Sequence, residues 1–373
     1  MMQRDKTATS TTPLRLPTVS ENGCYEMRLE SIGGLGANLC GKLLGELGAT
    51  YLGLNAAAFS GYGSEKRGSP VRAYVRWCHP DTEILHNSPV TTPHLLVLFH
   101  PALACSYPVT AGFGDGGTLV VNTAEAPHKM RSALRLHGGS ICCVDAEALA
   151  AKSHSRINMV LLGAMLRAMD FVPLDAAKAL ITDTLGKKYP EALEANLAGL
   201  LQGYENAKIV YFPPDGSYPY RPFAESQSDW GYQNAPIGGN NPHVGSTVAN
   251  ELSAARVGYL PLFLPEKCIH CGLCDSTCPD MVFQFTKGEW RGKTRMLNRG
   301  LDYHHCKGCL RCTDVCPTGA LVVGHEQEHP HKQWFVRNKD LLTSHLDFEP
   351  AGSDPSVTGE AYLDEQRVDG GLL

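Results

Sequence analysis

No stretch of this chain stays apolar for long enough to cross a bilayer. The most apolar segment, Asn158 to Val172, is broken by Arg167 and Asp170 and falls short of the roughly 20 residues that a spanning helix needs. The stretch from Met1 to Ser20 lacks the continuous apolar run of a secretory signal and reads as part of an irregular arm over residues 1–24, so a soluble, cytoplasmic protein is expected. Charge of one sign is scarce as well. With a net charge of −5 and no Lys/Arg block, the chain offers no broad field for nucleic acid and no membrane-surface segment. A complete G-x-G-x-x-G turn with an acidic ribose partner is missing, and so is a pyrophosphate–magnesium motif of the thiamine type. Nicotinamide and thiamine chemistry are therefore not expected on this chain itself.

Its 373 residues, 43% hydrophobic and 19% charged, are enough for two or three packed domains. From Tyr25 an alternating strand, a turn at Ser31-Ile-Gly-Gly-Leu-Gly36 and helical spacing over Asn38 to Leu47 open an α/β unit. Short apolar runs at Leu95 to Phe99, Thr118 to Val121 and Ser140 to Val144 predict a mostly parallel, covered sheet. Helical spacing then dominates at Ile157 to Met169, Leu174 to Leu185 and Glu191 to Glu205, which closes an α/β domain at 25–207. Pro, Gly, Asn, Ser and Tyr without a sustained period mark 208–250 as a linker whose aromatics suit packing onto a surface. A small α+β domain is expected at 251–325 and a tail at 326–373.

The second domain is announced by cysteine. Cys268-x2-Cys271-x2-Cys274-x3-Cys278-Pro279 is repeated, interval for interval, as Cys306-x2-Cys309-x2-Cys312-x3-Cys316-Pro317. Three cysteines two residues apart can curl around one face of a cubane, while the fourth, followed by proline, serves the other cluster. This pattern predicts a bacterial-type ferredoxin domain with two 4Fe-4S clusters. Cys268, Cys271, Cys274 and Cys316 would hold cluster one, and Cys306, Cys309, Cys312 and Cys278 cluster two. Gly272, Gly308 and Gly319 would let backbone amides approach the sulfides. Two structural zinc sites are the alternative; continuous three-plus-one runs with a trailing proline speak against them, because zinc pairs usually sit on separate knuckles.

Six further cysteines, Cys24, Cys40, Cys78, Cys105, Cys142 and Cys143, share no ligand spacing and read as buried free thiols in a reducing, anaerobic cytosol. Cys142 and Cys143 are adjacent in a strand and would point to opposite faces, which disfavours shared chelation. His304 and His305 precede cluster two, either hydrogen-bonding toward it or facing solvent.

The flanks carry more. Gly245-Ser-Thr-Val-Ala-Asn-Glu-Leu-Ser-Ala-Ala-Arg256, Pro261-Leu-Phe and Cys268-Ile-His-Cys-Gly-Leu-Cys-Asp-Ser-Thr-Cys-Pro-Asp280 resemble the delta (ferredoxin) subunit of the 2-oxoacid:ferredoxin oxidoreductases. The turn Gly33-Gly-Leu-Gly36, the segment Gly61-Tyr-Gly-Ser-Glu65-Lys-Arg67-Gly68-Ser-Pro-Val71 and Asn158-Met-Val-Leu-Leu-Gly163-Ala resemble the gamma subunit of the same family, in the same order. The family's usual Gly, Gln and Gly are replaced here by Ser31, Leu35 and Ser69.

The resemblance spans roughly residues 25 to 325 and implies a fused gamma-delta subunit. It also implies thiamine diphosphate and magnesium on partner alpha and beta type subunits, electrons leaving to external ferredoxin, and coenzyme A as co-substrate. Gly33, Gly34, Gly36, Glu65 and Arg67 would then be candidates for contact with coenzyme A or a partner, against tight packing or a loop salt bridge. The substrate is expected to be pyruvate, with 2-oxoglutarate, an aryl glyoxylate, a branched-chain 2-oxoacid or oxalate as alternatives; a stand-alone ferredoxin-like carrier fused to a binding domain is the rival reading.

Overall fold

A computed structural model describes residues 13–62, 70–85, 87–224, 238, 251–329 and 335–337. The chain divides into two compact units, the first ending at Ala224 and the second beginning at Glu225, with Cys105–Tyr107 grouped with the second.

The first unit is α/β. Its strands β1 (Cys24–Ile32), β2 (Asn55–Tyr62), β3 (Pro70–Cys78), β4 (Leu95–Leu98), β5 (Thr118–Asn122), β6 (Gly139–Val144) and β7 (Lys208–Phe212) form one sheet in the order β2-β3-β1-β4-β5-β6-β7. The central run β1-β4-β5-β6 is parallel, as expected; β3 and β2 on one side and β7 on the other extend it with antiparallel pairings. Helices α1 (Ala37–Glu46), α2 (Pro127–Leu134), α3 (Ala146–Ser153), α4 (Ile157–Ala168), α5 (Leu174–Ile181) and α6 (Leu193–Asn206) complete the unit.

Alternation along β1 divides its neighbours. Tyr25, Met27 and Leu29 join Val75, Trp77, Val97 and Val120 in the core under α1 and α4. Glu26, Arg28 and Glu30 project the other way and are buried too. Buried charge needs partners. The Arg28 guanidinium donates to the carbonyls of Val90 (2.9 Å), Val109 (3.0 Å) and Ala111 (2.6 Å) and pairs with Glu30 at 3.1 Å. Arg76 pairs with Glu26 at 2.7 Å and donates to the Ser88 carbonyl at 2.8 Å. These two arginines fasten irregular segments across the sheet face opposite α1 and α4.

Helices α4 and α6 cross with almost no side chain between them. A Cβ at Gly203 would stand 1.8 Å from the Val160 carbonyl oxygen, and one at Gly163 would stand 1.9 Å from that of Leu200. Gly163 belongs to the Asn158–Ala164 segment that resembles the gamma subunit, and this packing is its structural role.

Two sequence readings are corrected. The first domain does not end at 207, because Lys208–Phe212 pairs with β6. Residues after it also pack on this unit: Asp215 bridges Arg131 at 2.7 Å, the Arg221 carbonyl accepts from the Gly112 amide at 2.8 Å, and Phe223 lies 5.4 Å from the Arg28 guanidinium. Nor are all six non-motif cysteines free. Cys24 and Cys78 face each other in the antiparallel β1–β3 ladder with Cα atoms 4.4 Å apart, and they form a disulfide. Their pairing depends on a register between strands 54 residues apart, which spacing alone does not reveal. Cys40, Cys142 and Cys143 are buried thiols as expected, whereas Cys105 is exposed.

The second unit is a small α+β fold built twice. Strand β8 (Tyr259–Phe263), the first cysteine loop with α7 (Leu273–Thr277) and β9 (Phe283–Trp290) make one copy. Strand β10 (Lys293–Leu301), the second loop with α8 (Arg311–Asp314) and β11 (Leu321–His325) make the other. Antiparallel pairing of β8 with β11 and of β9 with β10 interlocks the copies. The strand ends Phe263 and Leu301, and the strand starts Phe283 and Leu321, keep the offset that separates Cys268 from Cys306.

Backbone strain follows the same offset. His270 (φ 56) matches Gly308 (φ 71), Gly272 (φ 78) matches Leu310 (φ 61), and Met281 (φ 51) matches Gly319 (φ 63). Each copy needs three left-handed residues, and glycine fills only one member of each pair. The geometry of the loop, rather than the residue type, dictates the conformation.

Two stability measurements check these points. Gly203→Ala should destabilise the first unit by about 2–3 kcal/mol, because neither backbone can yield without separating α4 from α6; an unchanged urea midpoint would contradict the packing. Met281→Gly should stabilise the second unit and Gly319→Ala destabilise it, each by about 1 kcal/mol. Effects of the same sign in anaerobic denaturation would refute the matched strain.

Candidate iron-sulfur centres

Cys268, Cys271, Cys274 and Cys316 line one cavity, together with Phe285 and Asn298. Cys278, Cys306, Cys309 and Cys312 line a second, together with Asp280 and Lys307. Each cavity thus takes three cysteines from one repeat and the fourth from the other. Among the described residues, no three His, Cys, Asp or Glu side chains converge closely enough to hold a single metal ion. The cysteines surround a volume instead of meeting at a point, an arrangement that suits a multi-atom cluster better than tetrahedral zinc.

Amides point at the sulfurs. The His270 N–H donates to Cys268 Sγ at 3.4 Å, and the side-chain amide of Asn298 stands 3.7 Å from Cys274 Sγ. Backbone N–H groups of Gly308 approach Cys306, and those of Thr318, Ala320 and Leu321 approach Cys316. Burial pushes the Cys274 thiol up to about 12 and the Cys306 thiol up to about 11, and neighbouring thiols add to both. At Cys316 burial has the same tendency but is outweighed by its backbone donors, which draw that thiol down. Four adjacent thiolates repel, so the set is stable in its ionised form around a cationic core such as iron. The donor set fits 4Fe-4S groups.

The loops are held from outside. The buried Arg256 donates to the carbonyls of Tyr303 (2.7 Å) and Cys306 (2.8 Å) while pairing with Glu326. A Cβ at Gly308 would stand 2.4 Å from the Tyr259 carbonyl oxygen, so the second loop lies directly against β8. Arg256 closes the sequence run that resembles the delta subunit, but its role was not legible because both carbonyls lie about 50 residues downstream. His270 was missed as well. Its Nδ1 accepts from the Asn298 N–H at 3.1 Å, and its ring meets Trp290 edge-on at 5.7 Å.

Other candidate residues do not join these cavities. His305 is buried and pairs with Asp302 at 3.3 Å, and His304 pairs with Glu251 and meets the Phe335 ring. Neither histidine lines a cysteine cavity. Gly33, Gly34 and Gly36 form the turn into α1 and line neither cavity. A Cβ at Gly36 would lie 2.7 Å from the Asn158 side chain, so close packing on α4 accounts for that glycine. Glu65 and Arg67 lie outside the described residues. No helix among the described residues is long and apolar enough to cross a membrane.

Comparison with known proteins also finds two separate parts in the chain. Residues 26–206 match the family model "Pyruvate ferredoxin/flavodoxin oxidoreductase", and residues 267–334 match "4Fe-4S dicluster domain". Pyruvate synthase subunit PorC of Thermotoga maritima is 34% identical over 187 residues, covering 49% of this chain and 95% of that one. Pyruvate synthase subunit PorD of the same organism is 33% identical over 97 residues, covering 26% of this chain and 89% of its own. The gamma subunit of NADH-dependent phenylglyoxylate dehydrogenase from Aromatoleum evansii is 29% identical over 190 residues, covering 50% and 95%. The chain belongs to the pyruvate ferredoxin/flavodoxin oxidoreductase family, with a gamma-type α/β domain and a delta-type 4Fe-4S dicluster domain on one polypeptide.

Proposed function

We propose that this chain is the gamma-delta electron-transfer subunit of a thiamine-dependent 2-oxoacid:ferredoxin oxidoreductase acting on pyruvate. The observation that carries the reading is that two separate subunits of one pyruvate synthase, PorC and PorD, resemble successive parts of this single polypeptide. Cys268, Cys271, Cys274 and Cys316 would hold one 4Fe-4S cluster, and Cys278, Cys306, Cys309 and Cys312 the other. When bound, the clusters supply one-electron steps, which divide the electron pair released by oxidative decarboxylation.

This chain's own residues hold the sulfurs in place, aim amides at them and shield the second set in particular, since Cys306 and Cys312 are buried. Thiamine diphosphate, magnesium and the carbonyl chemistry belong to alpha and beta type partners, with coenzyme A as co-substrate and external ferredoxin as acceptor. The phenylglyoxylate enzyme's gamma subunit keeps an aryl glyoxylate as the second reading of the substrate.

Paired cysteine variants test the ligand sets without relying on one fragile mutant. Cys278→Ala with Cys309→Ala removes two ligands of one proposed set, so about four irons should remain per chain; Cys278→Ala with Cys271→Ala breaks both sets and should leave almost none. The opposite ranking would overturn the crossed assignment. Affinity capture of the intact chain from its native cytosol should also recover two thiamine-binding chains, and the preparation should release carbon dioxide from pyruvate only when coenzyme A is present. A monomeric chain that recovers neither partner would favour the stand-alone carrier.

A further inference from the structure

The hairpin of β9 and β10 carries more positive charge than folding requires. Lys287, Arg291, Lys293, Arg295 and Arg299 are all exposed and face only one acid, Glu289, on a chain whose total charge is −5. Across the ladder, Lys287 opposes Met296, Lys293 opposes Trp290 and Arg295 opposes Gly288, so the register places no acid opposite these cations. Among the described residues none of the five takes part in a salt bridge. Like charges crowded on one ribbon repel, and acidic cross-strand partners would have stabilised it.

The same hairpin forms part of a cysteine cavity. Phe285 of β9 and Asn298 of β10 line the cavity of Cys268, Cys271, Cys274 and Cys316. The guanidinium groups of Arg291, at 4.2 Å, and Arg295, at 5.4 Å, lie over the Trp290 ring, which meets His270 edge-on at 5.7 Å. His270 in turn donates its backbone N–H to Cys268 Sγ. An exposed cationic patch is thus separated from a sulfur of this cavity by two touching rings. The other cavity is lined by two cations, Lys307, whose side chain is largely buried 3.6 Å from Asp280, and the exposed Arg311, and no residue of the basic hairpin lines it.

We propose that the β9–β10 hairpin is the docking surface for a small acidic one-electron carrier protein, which draws its electron from the cluster held by Cys268, Cys271, Cys274 and Cys316. The inference rests on the proposed function, because it takes the cavity to hold a 4Fe-4S cluster and the acceptor to be external. The step balances simply: the reduced cluster loses one electron, the oxidised centre of the carrier gains it, and no bond or proton moves. Arg291, Arg295 and their neighbours would attract Asp and Glu on the carrier, and Trp290 would supply a flat contact at the middle of the patch. Attraction of this kind acts over roughly 8 Å at physiological ionic strength and weakens as salt rises.

The test uses the complete, anaerobically purified complex and, as probe, an oxidised bacterial 2x4Fe-4S ferredoxin rich in Asp and Glu. Its Kd should rise steeply with salt. In Arg291→Glu with Arg295→Glu, Kd should rise about tenfold or more at low salt and lose most of its salt dependence. Iron content and substrate-driven reduction of methyl viologen should stay at the wild-type level. Lys42→Glu with Lys152→Glu, two exposed lysines of the first unit, should leave Kd unchanged. Wild-type affinity in an iron-replete hairpin variant would overturn the docking surface and leave the proposed function standing. Loss of the partner chains from that variant would also overturn it, by making the hairpin a subunit contact. A wild-type complex that reduces methyl viologen but binds no ferredoxin would instead remove the external acceptor on which the proposal rests.

Discussion

Each cysteine cavity of the second unit is closed by a residue of the other repeat, and most of that unit follows from this exchange. Cys316 reaches the first loop only because β11 lies along β8, and Cys278 reaches the second only because β9 returns against β10. Neither repeat can build a four-cysteine cavity alone. The three matched left-handed positions serve the same end: they fold each loop tightly enough to turn its amides toward sulfur, even where the residue is His270, Leu310 or Met281. Loop strain, strand pairing and thiol burial are each unfavourable or marginal without a cationic core, so folding of this unit should be coupled to cluster incorporation.

The first unit solves a different problem. One face of its sheet packs under α1 and α4 through an ordinary apolar core, and the other buries two ion pairs, Arg28 with Glu30 and Arg76 with Glu26. Pairs of this kind give little net stability, but breaking one leaves a buried charge. They specify which segments cross the sheet. Where the sequence resembles the gamma subunit at Gly36 and at Asn158–Ala164, the structure shows close contacts between α1 and α4 and between α4 and α6. These stretches maintain the scaffold, and nothing in their geometry requires a ligand.

How much was legible varied with the range of the signal. The strands β1, β4, β5 and β6 and the helices α1, α4, α5 and α6 follow from local periodicity, and the cysteine repeats from spacing alone. Strand β2 was missed because Asn-Ala-Ala-Ala-Phe-Ser-Gly-Tyr has little apolar alternation and is at most half-buried. Strand β3 was missed because Arg72 and Arg76 interrupt its apolar pattern, although Arg76 is buried through its partner Glu26. Edge strand β7 follows α6 after a single residue, Ala207, so no Gly or Pro turn signal separates the two. The disulfide, the Arg256 brace and the His270–Trp290 contact all join residues far apart in sequence. Only the fold brings them together.

A route for electrons can be described without giving this chain any carbonyl chemistry. Thiols and amides prepare two cavities, and the contact of His270 with Trp290 joins one of them to an exposed basic hairpin. The account is tested most directly by electron paramagnetic resonance of the intact complex, frozen after mixing with pyruvate and coenzyme A under anaerobic conditions and without an acceptor. It predicts spin-coupled signals of reduced 4Fe-4S clusters that disappear when oxidised ferredoxin is added. Clusters that remain silent while carbon dioxide is released, or zinc in place of iron, would contradict it.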